Sequence, residues 1–307
     1  MTANPPIMKG VNAAVLTPLN VDLTPDLGRM AAHCQWLLAN GCDGLGILGT
    51  TGEAQSFSVR ERMDILEGLA KAGIPMDKAM PGTGAAAYVD TATLTGHAVE
   101  MGVSGTLVLP PYYLKGVSDD GLFAAFAKVI ESVGEQGLRM YLYHFPQMSG
   151  VPLSLDLIDR LTTEFPDTVV GVKDSSGDLG NMLAMVERFP GFAVFPGSES
   201  AFLKVLKVGG AGCITAVSNI SCPMAQRVYA AWTERGEVDE EAESIIQALR
   251  SLIAQYPLPP ALKAITGRHA GDDSWERLRP PFMSLDHDAR ATLFAAMDDI
   301  GYDLPPV

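Results

Sequence analysis

The feature that most constrains the fold is a regular alternation of short apolar segments with longer segments of helical periodicity. Runs of β-branched and apolar residues are typical of buried strands, and apolar positions spaced by three or four residues are typical of helices. We predict eight strands, at residues 11–16, 44–48, 78–81, 106–109, 140–143, 169–172, 193–195 and 213–216. Helices are predicted between them at residues 26–39, 59–72, 89–101, 120–133, 155–163, 179–189 and 199–208.

Three joints between a helix and the next strand repeat one glycine pattern. Residues 41–44, 102–105 and 209–212 each begin and end with glycine. The first glycine is suited to ending a helix and the second to a tight turn into the strand. A recurring βα unit favours a closed (β/α)₈ barrel, the TIM barrel of the α/β class. An open doubly wound sheet is the alternative, but residues 17–19 (Thr-Pro-Leu) are not its glycine-rich nucleotide motif.

A helical tail follows the last predicted strand. Residues 224–234 are predicted as the last barrel helix, and residues 240–256, 260–266 and 287–300 as helices of the tail. We therefore divide the chain into a barrel at residues 1–235, which carries the active site, and a C-terminal helical domain at residues 236–307. The apolar faces of the tail predict packing on the barrel or on another subunit, for example through Ile245, Ile246, Leu249 and Leu252.

Charge and cysteine usage bound the partners and the compartment. A formal charge of −14 with only 22 Lys and Arg argues against nucleic acid and anionic membranes as partners. Four cysteines without CxxC spacing, and five histidines that form no metal-ligand pair, predict a reducing cytoplasm and no metal. No segment is apolar enough to span a bilayer, and the N-terminus lacks the regions of a signal peptide. An anionic substrate must therefore be held by local backbone N–H groups and hydroxyls.

Lys173 is the candidate nucleophile. Residues 168–178 (Thr-Val-Val-Gly-Val-Lys-Asp-Ser-Ser-Gly-Asp) carry this lysine from a buried strand into small polar residues. Chemistry in a (β/α)₈ barrel takes place at this carboxyl end of the strands. Burial disfavours the ammonium form of a lysine and leaves free amine, which can attack a carbonyl and form a Schiff base. Gly171, on the same face, is expected to leave space beneath the side chain. An ammonium that reaches solvent is the structural alternative.

Two further segments supply candidate partners for Lys173. Residues 49–53 (Gly-Thr-Thr-Gly-Glu) form a loop whose N–H groups, with the Thr50 and Thr51 hydroxyls, can hold a carboxylate. Period-two alternation in residues 140–143 places Tyr143 on the face and at the level of Lys173. A phenol there can transfer the protons that imine formation and C–C cleavage need.

Two other loops are weaker candidates. Residues 110–113 (Pro-Pro-Tyr-Tyr) present two phenols, and aromatic packing is the alternative for Tyr112. In residues 195–200 (Phe-Pro-Gly-Ser-Glu-Ser), Gly197 suggests close approach of a ligand, and a plain turn into a helix N-cap is the alternative. His144, next to Tyr143, should point away from the site.

The motifs at residues 49–53, 111–113, 143–146 and 171–174 resemble, in order and spacing, the dihydrodipicolinate synthase / N-acetylneuraminate lyase family of class I aldolases. The resemblance extends to residues 259–263 and implies a (β/α)₈ barrel with a C-terminal helical domain. It also implies a homotetramer, a small-molecule 2-oxo acid substrate such as pyruvate, and no metal or organic cofactor.

The same resemblance implies roles for individual residues. Lys173 would form the imine, Tyr143 would relay protons with the Thr50 hydroxyl, and Tyr113 would reach the site of a neighbouring subunit. The remaining residues would bind substrate. These are Thr50 and Thr51 with Gly49 at the pyruvate carboxylate, Ile214 through its backbone, and Met148, Gly197 and Glu199 around the remainder of the substrate.

Met148 is a departure that bears on the substrate. It stands where the lysine-pathway synthase of this family has an arginine that clamps the carboxylate of aspartate semialdehyde, and a thioether cannot make that contact. An apolar residue here resembles the neuraminate-lyase side of the family, although Glu199 and Ala216 leave the polar set of that side incomplete. Lys115 is a basic group in a neighbouring loop that can compensate.

We therefore predict a Schiff-base lyase, either aldolase or dehydratase, that acts on pyruvate or a 2-keto-3-deoxy sugar acid through an imine at Lys173. A 4-hydroxy-tetrahydrodipicolinate synthase, which condenses pyruvate with aspartate semialdehyde, is the alternative. A non-catalytic 2-oxo-acid binding protein is the competing class. A phosphate-binding barrel enzyme is disfavoured, because no strong phosphate loop follows the last two predicted strands.

Overall fold

The computed structural model describes residues 5–306 and has the predicted (β/α)₈ barrel, followed by a helical tail. Residues 1–4 and 307, at the outer ends of the two predicted domains, lie outside the described residues. All the pairings between regular strands in the described part of the chain are parallel. These strands are β1 (Gly10–Ala14), β2 (Gly44–Gly46), β3 (Thr106–Val108), β4 (Met140–His144), β5 (Val169–Asp174), β6 (Ala193–Pro196) and β7 (Gly212–Thr215).

The strands form two hydrogen-bonded groups, β2-β1-β7 and β3-β4-β5-β6, and the barrel closes where these groups meet. At one junction, the backbone N–H of Ala211, just before β7, donates to the carbonyl of Val194 in β6 at 3.0 Å. At the other, the chain between β2 and β3 makes isolated parallel bridges to both neighbours.

The third predicted strand, at residues 78–81, is the one strand prediction that the structure corrects. The segment contributes single bridges in place of a regular ladder. Met80 N donates to Leu45 O at 2.8 Å, and Leu107 N donates to Pro81 O at 2.9 Å. Pro81 has no N–H to return, so the ladder is interrupted while the barrel still closes.

The predicted helices all form, with small shifts at their ends. The barrel helices are α1 (Leu27–Ala39), α2 (Val59–Lys71), α3 (Tyr88–Glu100), α4 (Asp119–Val133), α5 (Pro146–Ser149), α6 (Leu155–Glu164), α7 (Leu179–Arg188), α8 (Glu199–Leu206) and α9 (Ser218–Arg235). The tail has α10 (Glu240–Ile253), α11 (Leu258–Ala270) and α12 (His287–Ile300). The short α5 was not predicted. In the part of the chain that the structure describes, no helix is both long and apolar enough to cross a bilayer.

Helix α9 begins six residues before its predicted start at residue 224, and it continues through Pro223. A proline inside a helix removes one backbone bond, and the predicted start at residue 224 lies just after this proline. The side chain of Asn219 compensates in the first turn. Its Nδ2 donates to the carbonyls of Ala14 at 2.8 Å and Ala216 at 2.7 Å, so it fixes the helix to the barrel.

The three glycine joints have the predicted conformation. Gly41, Gly102 and Gly209 have φ values of 109°, 76° and 106°, in the region that favours glycine at a helix end. The second glycine of each joint allows close packing at the base of the barrel. A Cβ on Gly105, for example, would lie 2.5 Å from the ring of Tyr141.

The tail packs on the carboxyl side of the barrel, as its apolar faces predicted. Leu249, Ile253 and Leu262 share one buried cluster with Leu16 and Ile220 of the barrel. Helix α9 ends at Arg235, beside the boundary proposed from the sequence. The division into two domains at that point stays a prediction. The packing places α10 over the end of the barrel at which Lys173 lies.

Candidate active site

A cavity of about 330 Å³ lies at the carboxyl ends of the barrel strands. Lys173, Tyr143, Thr50 and Thr51 line it together, although they come from three separate parts of the sequence. Parallel strands end at the same edge of a barrel, and this is why residues about 30 and 90 positions apart in the sequence meet. The structure therefore brings together the four side chains that the sequence placed at the centre of the site, and their roles stay predictions.

Lys173 lies in β5 opposite Tyr143 of β4 and Phe195 of β6. The lysine is only 4% exposed, and its Nζ lies 4.6 Å from the centroid of the Tyr143 ring. Between residues 5 and 306, no hydrogen bond or ion pair engages Nζ. Burial without a partner anion is costly for an ammonium and suits an amine that reacts with a carbonyl.

Gly171 is needed for a different reason from the one inferred from the sequence. We expected it to leave space beneath Lys173. It lies opposite Tyr141 in the strand register, and a Cβ on Gly171 would stand 2.6 Å from that ring. The Tyr141 ring fills the space inside the barrel, and its hydroxyl accepts a hydrogen bond from Met8 N at 2.8 Å. The lysine therefore lies above a packed aromatic layer.

Tyr143 connects Lys173 to the loop after β2. Its hydroxyl lies 3.3 Å from the Thr50 hydroxyl, and its ring stacks on Phe145 with centroids 5.9 Å apart. The tyrosine is buried, so its ring has little freedom to turn away from the lysine. This geometry gives two hydroxyl groups in contact beside the amine, which is the arrangement needed for passing a proton.

The loop at residues 49–53 presents unused donors at the floor of the cavity. The backbone N–H groups of Thr50 and Thr51 take part in no hydrogen bond among the described residues. Leu48 and Glu53, which bracket the loop, have φ values of 56° and 57°. Residues with side chains rarely adopt this left-handed conformation, and such strain is common where a loop is shaped for a ligand.

A buried ion pair anchors this loop to the tail. The side chain of Lys263 in α11 donates to the carboxylate of Glu53, and both side chains are fully buried. Lys263 Nζ also donates to Arg277 O at 2.8 Å. Burial lowers the pKa of Lys263, and the nearby Glu53 carboxylate opposes that shift only in part. Lys263 therefore holds the loop in place from below and does not line the cavity.

Gly197 and Glu199 both line the cavity, after β6. A Cβ on Gly197 would collide with the side chain of Ser175, so the close approach that the sequence suggested is to a neighbouring loop. The carboxylate of Glu199 accepts the hydroxyl hydrogen bond of Thr215. Burial raises the pKa of Glu199, with partial compensation from that hydrogen bond and from nearby cations.

Four predicted site residues lie outside the cavity lining. Tyr113 is 78% exposed, and Met148, in α5, is 61% exposed. Ile214 is fully buried in the apolar layer inside the barrel, and Gly49 does not reach the cavity. The structure thus separates the central group of residues, which share one cavity, from these four. No contact in this chain tests the roles that the resemblance gave them.

The cavity also contains residues that the sequence did not reveal. Phe145 and Gln147 follow β4, Ser175 and Ser176 follow β5, and Arg250 comes from the tail helix α10. Ser175 and Ser176 belong to the small polar run after Lys173, which was the available signal. Gln147 adjoins Met148 and faces the cavity in its place. Arg250 gave no local signal, because its position depends on how the tail packs.

Lys115 and His144 have structural hydrogen bonds. The Lys115 ammonium donates to the carbonyls of Tyr112 and Ser149, so it is not available to replace the missing arginine. His144 accepts from Leu153 N at 3.1 Å and points away from the cavity, as expected. Within residues 5–306, no cluster of three histidine, cysteine or acidic side chains is arranged to hold a metal ion.

Comparison with known proteins identifies the family. The model of the dihydrodipicolinate synthetase family matches residues 7–300. The chain belongs to this family. An uncharacterized DapA-like lyase of Chloroflexus aurantiacus is 34% identical over 95% of this chain and 97% of its own length.

Two solved structures extend the comparison. The dihydrodipicolinate synthase of Agrobacterium tumefaciens has a TM-score of 0.86 at 32% identity, over 95% of this chain and 99% of its own. YagE, a prophage protein of the same family from E. coli K12 in complex with pyruvate, has a TM-score of 0.86 at 25% identity, over 96% of this chain and 99% of its own.

Membership in the dihydrodipicolinate synthetase family agrees with the cavity geometry. The chain is an enzyme of the pyruvate-dependent lyases that use class I, Schiff-base chemistry. The barrel and the reaction class were therefore predicted correctly from the sequence.

Proposed function

We propose that the protein is a lyase in which Lys173 forms an imine with pyruvate or with a 2-keto-3-deoxy sugar acid. The observation that carries this proposal is the buried Nζ of Lys173, which forms no ion pair with any described residue and lies against Tyr143 in the cavity. The pyruvate complex of YagE supports a 2-oxo acid as the ligand of this cavity.

The proposed chemistry begins at the 2-oxo carbon. The Lys173 amine adds to this carbon and gives a carbinolamine, which then loses water to become an imine. Tyr143 and Thr50 pass the protons, since their hydroxyls are in contact at 3.3 Å. The Thr50 and Thr51 N–H groups and hydroxyls hold the substrate carboxylate. The imine then interconverts with an enamine, and Tyr143 transfers the proton that accompanies formation or cleavage of the C–C bond.

A sugar-acid substrate is favoured by the side chains around the mouth of the cavity. Ser175, Ser176 and Gln147 offer hydroxyl and amide groups, and Met148 supplies no charge. A dehydratase uses the same imine and eliminates water where an aldolase breaks a C–C bond. The family contains both chemistries, as the resemblance implies, and the polar wall of this cavity suits both.

The synthase that condenses pyruvate with aspartate semialdehyde is the second candidate. It is favoured by the similarity to the Agrobacterium tumefaciens enzyme. Loss of a charge-assisted hydrogen bond at Met148 is worth about 1.5–3 kcal/mol, or roughly ten- to a hundredfold. We therefore expect kcat/KM to be higher for 2-keto-3-deoxy acids than for aspartate semialdehyde. A clear preference for the semialdehyde would show that the argument from Met148 is wrong.

The imine is tested by reduction with sodium borohydride in the presence of pyruvate. The proposal requires a covalent adduct on Lys173 in the peptide map of the wild-type protein. Lys173→Arg should remain folded and form no adduct, because a guanidinium is not deprotonated at working pH. An adduct on Lys263 or Lys115, or no adduct with any 2-oxo acid, would contradict the proposal and favour a non-catalytic binding protein.

We also propose that the active form is a homotetramer in which Tyr113 reaches a neighbouring site. Tyr113, Leu114 and Val117 are exposed on one loop, and an apolar loop of this kind suits burial against a second copy. Tyr113→Arg should weaken association and activity together, as measured by sedimentation and turnover. A stable and fully active wild-type monomer would remove Tyr113 from the catalytic set.

The proposed reaction uses no metal and no organic cofactor, and it takes place in the cytoplasm. The chemistry is supplied by the Lys173 amine, so dialysis against EDTA should leave kcat unchanged. The four cysteines are buried and unpaired, which suits a reducing compartment. A loss of activity that added divalent metal restores would contradict the cofactor part of this proposal.

A further inference from the structure

Arg250 is a cavity cation that the proposed chemistry does not use. It lies in α10, on the tail, and lines the same cavity as Lys173. Its Nε donates to the Ser198 hydroxyl at 2.8 Å. Within residues 5–306, its two terminal nitrogens make no hydrogen bond, and no carboxylate lies within ion-pair distance of them. This is unusual in a chain with 36 acidic residues and a formal charge of −14.

The two acidic side chains that line the cavity form no ion pair with Arg250, although Glu199 is near enough to feel its charge. Asp174 accepts hydrogen bonds from Ser176 N at 2.7 Å and from Asn181 Nδ2 at 2.9 Å. Glu199 accepts the Thr215 hydroxyl and is fully buried. Both carboxylates are thus hydrogen-bonded to other donors, and Arg250, a lining residue of the cavity, keeps terminal N–H groups that no described residue accepts from.

The position of Arg250 is fixed, although it lies on the tail. Gln247, one turn earlier in α10, donates to Glu199 O at 2.8 Å, and Arg250 itself is held through Ser198 at the start of α8. These two contacts fasten α10 to the loop after β6. The guanidinium is planar, so its two terminal nitrogens present parallel N–H groups that can bind a carboxylate by two hydrogen bonds, and the bond at Nε fixes the orientation of this group.

We infer that Arg250 binds a second carboxylate, at the end of the substrate remote from the 2-oxo acid group. The inference rests on the proposed function, since it assumes that the 2-oxo acid end lies at Lys173. It narrows the substrate to a molecule with two acidic ends, such as a 2-keto-3-deoxy aldaric acid or the condensation product of pyruvate and an aldehyde that carries a carboxylate. Arg250 would provide from the tail the charge that Met148 does not provide from α5.

The test compares two 2-keto-3-deoxy acids of equal chain length, one ending in a carboxylate and the other in a primary alcohol. The wild-type protein should prefer the carboxylate-ended acid. Arg250→Met should lower kcat/KM for that acid by roughly ten- to a hundredfold and leave the alcohol-ended acid within about threefold. Most of the loss should be in KM, because the contact is remote from the reacting bond.

Three controls make the result specific. Arg235→Met removes an arginine of α9 outside the cavity lining and should leave both acids unaffected. Arg250→Lys keeps the charge but cannot form two parallel hydrogen bonds, so its preference should be intermediate. If Arg250→Met does not fold, Ser198→Ala, which removes the acceptor of Nε, should reduce the preference in the same direction.

A third arm distinguishes the two sources of a remote carboxylate. Condensation of pyruvate with aspartate semialdehyde is measured with the same variants. A loss confined to this reaction assigns the carboxylate to the semialdehyde and still supports the inference. An equal loss on the acidic and alcohol-ended acids would overturn it, and so would an unchanged preference together with an unchanged rate of the semialdehyde condensation in every variant.

Borohydride trapping keeps the two proposals separate. Pyruvate has no remote carboxylate, so Arg250→Met should trap pyruvate on Lys173 as well as the wild type does. An absent adduct in the wild type contradicts the imine at Lys173. A normal adduct, with both the substrate preference and the semialdehyde condensation unchanged in Arg250→Met, contradicts only the role of Arg250.

Discussion

The two buried lysines of this protein, Lys173 and Lys263, lie in environments of opposite kind. Lys263 is fully buried and paired with Glu53, with a further bond to a backbone carbonyl. Lys173 is also buried, but its Nζ lies over the face of the Tyr143 ring and makes no hydrogen bond or ion pair with the described residues. The first arrangement stabilises the junction of barrel and tail, whereas the second leaves a nitrogen available for chemistry. Burial alone therefore does not identify a reactive lysine; the absence of a partner does.

Lys173→Met is the strongest test of the contrast between the two lysines. We expect activity on 2-oxo acids to fall on the order of 10³-fold or more, because the covalent route is lost. The melting temperature should be unchanged or higher, since methionine loses no hydrogen bond or ion pair here and removes a buried polar group that lacks a partner. Turnover and thermal unfolding are measured on the same preparation. A large loss of stability would show that Lys173 is structural.

Tyr143→Phe tests whether the ring beside Lys173 acts through its hydroxyl group. The ring volume is kept, while the hydroxyl that contacts Thr50 is lost. A general acid–base group typically contributes about 10²–10⁴ in rate, so kcat should fall by a factor in that range. Pyruvate should still be trapped by borohydride, at a lower rate. Nearly full turnover would mean that the phenol serves only in packing.

Lys263→Met tests the other side of the comparison. Removing one member of a buried ion pair leaves Glu53 uncompensated, and such changes cost about 3–5 kcal/mol. The free energy of unfolding, measured with urea, should fall by that amount, in contrast to Lys173→Met. The KM for pyruvate should rise in the protein that remains folded, because Glu53 anchors the loop with Thr50 and Thr51. Equal stability of the two methionine variants would refute the distinction.

The smallest expected effect concerns His33, at the same junction. Its Nε2 lies 2.9 Å from Asn219 Oδ1, and burial lowers the pKa of the imidazole from 6.5 to about 4. In the unfolded chain the His33 imidazole is protonated below pH 6.5, whereas in the folded chain it is protonated only below about pH 4. Stability present above pH 6.5 is therefore lost as the pH falls towards 4.

His33→Gln removes this titration and keeps a donor for Asn219. Between pH 7 and pH 4.5, the wild type should lose about 2 kcal/mol more unfolding free energy than the variant, by linkage. Urea unfolding at the two pH values measures the difference. Parallel losses in the two proteins would place the acid sensitivity elsewhere, and the junction would then be less dependent on His33 than its burial suggests.

Local patterns in the sequence predicted most of the fold. The glycine joints and apolar runs are properties of single βα units, so they are visible without any knowledge of the neighbours. Residues 78–81 were the exception. Pro81 has no backbone N–H, and the resulting gap in the ladder is seen only when the pairing with the neighbouring strands is known. The start of α9 was placed six residues too late, since the helix continues through Pro223 and its first turn is held by contacts of Asn219 with Ala14, far away in the sequence.

The central group of the site was predictable for the same reason. Period-two alternation places Tyr143 and Lys173 on one face, and parallel strands end at one edge. Gly171 was explained wrongly, because the reason for a glycine there is the strand register that places the Tyr141 ring opposite it. Arg250 was missed, because the sequence of α10 shows which face is apolar and not where that face will pack.

Because α10 packs over the end of the barrel, the tail offers a way to redesign this protein. The amine and its proton relay are fixed by barrel strands, while one wall of the cavity comes from a separate piece of chain that follows them. Exchange of the cavity-lining residues of this piece, Arg250 and Leu258, can therefore alter what is bound, provided that Leu249 and Ile253 are kept to pack on the barrel. Libraries confined to those cavity-lining residues offer a direct route to new substrates on an unchanged catalytic framework.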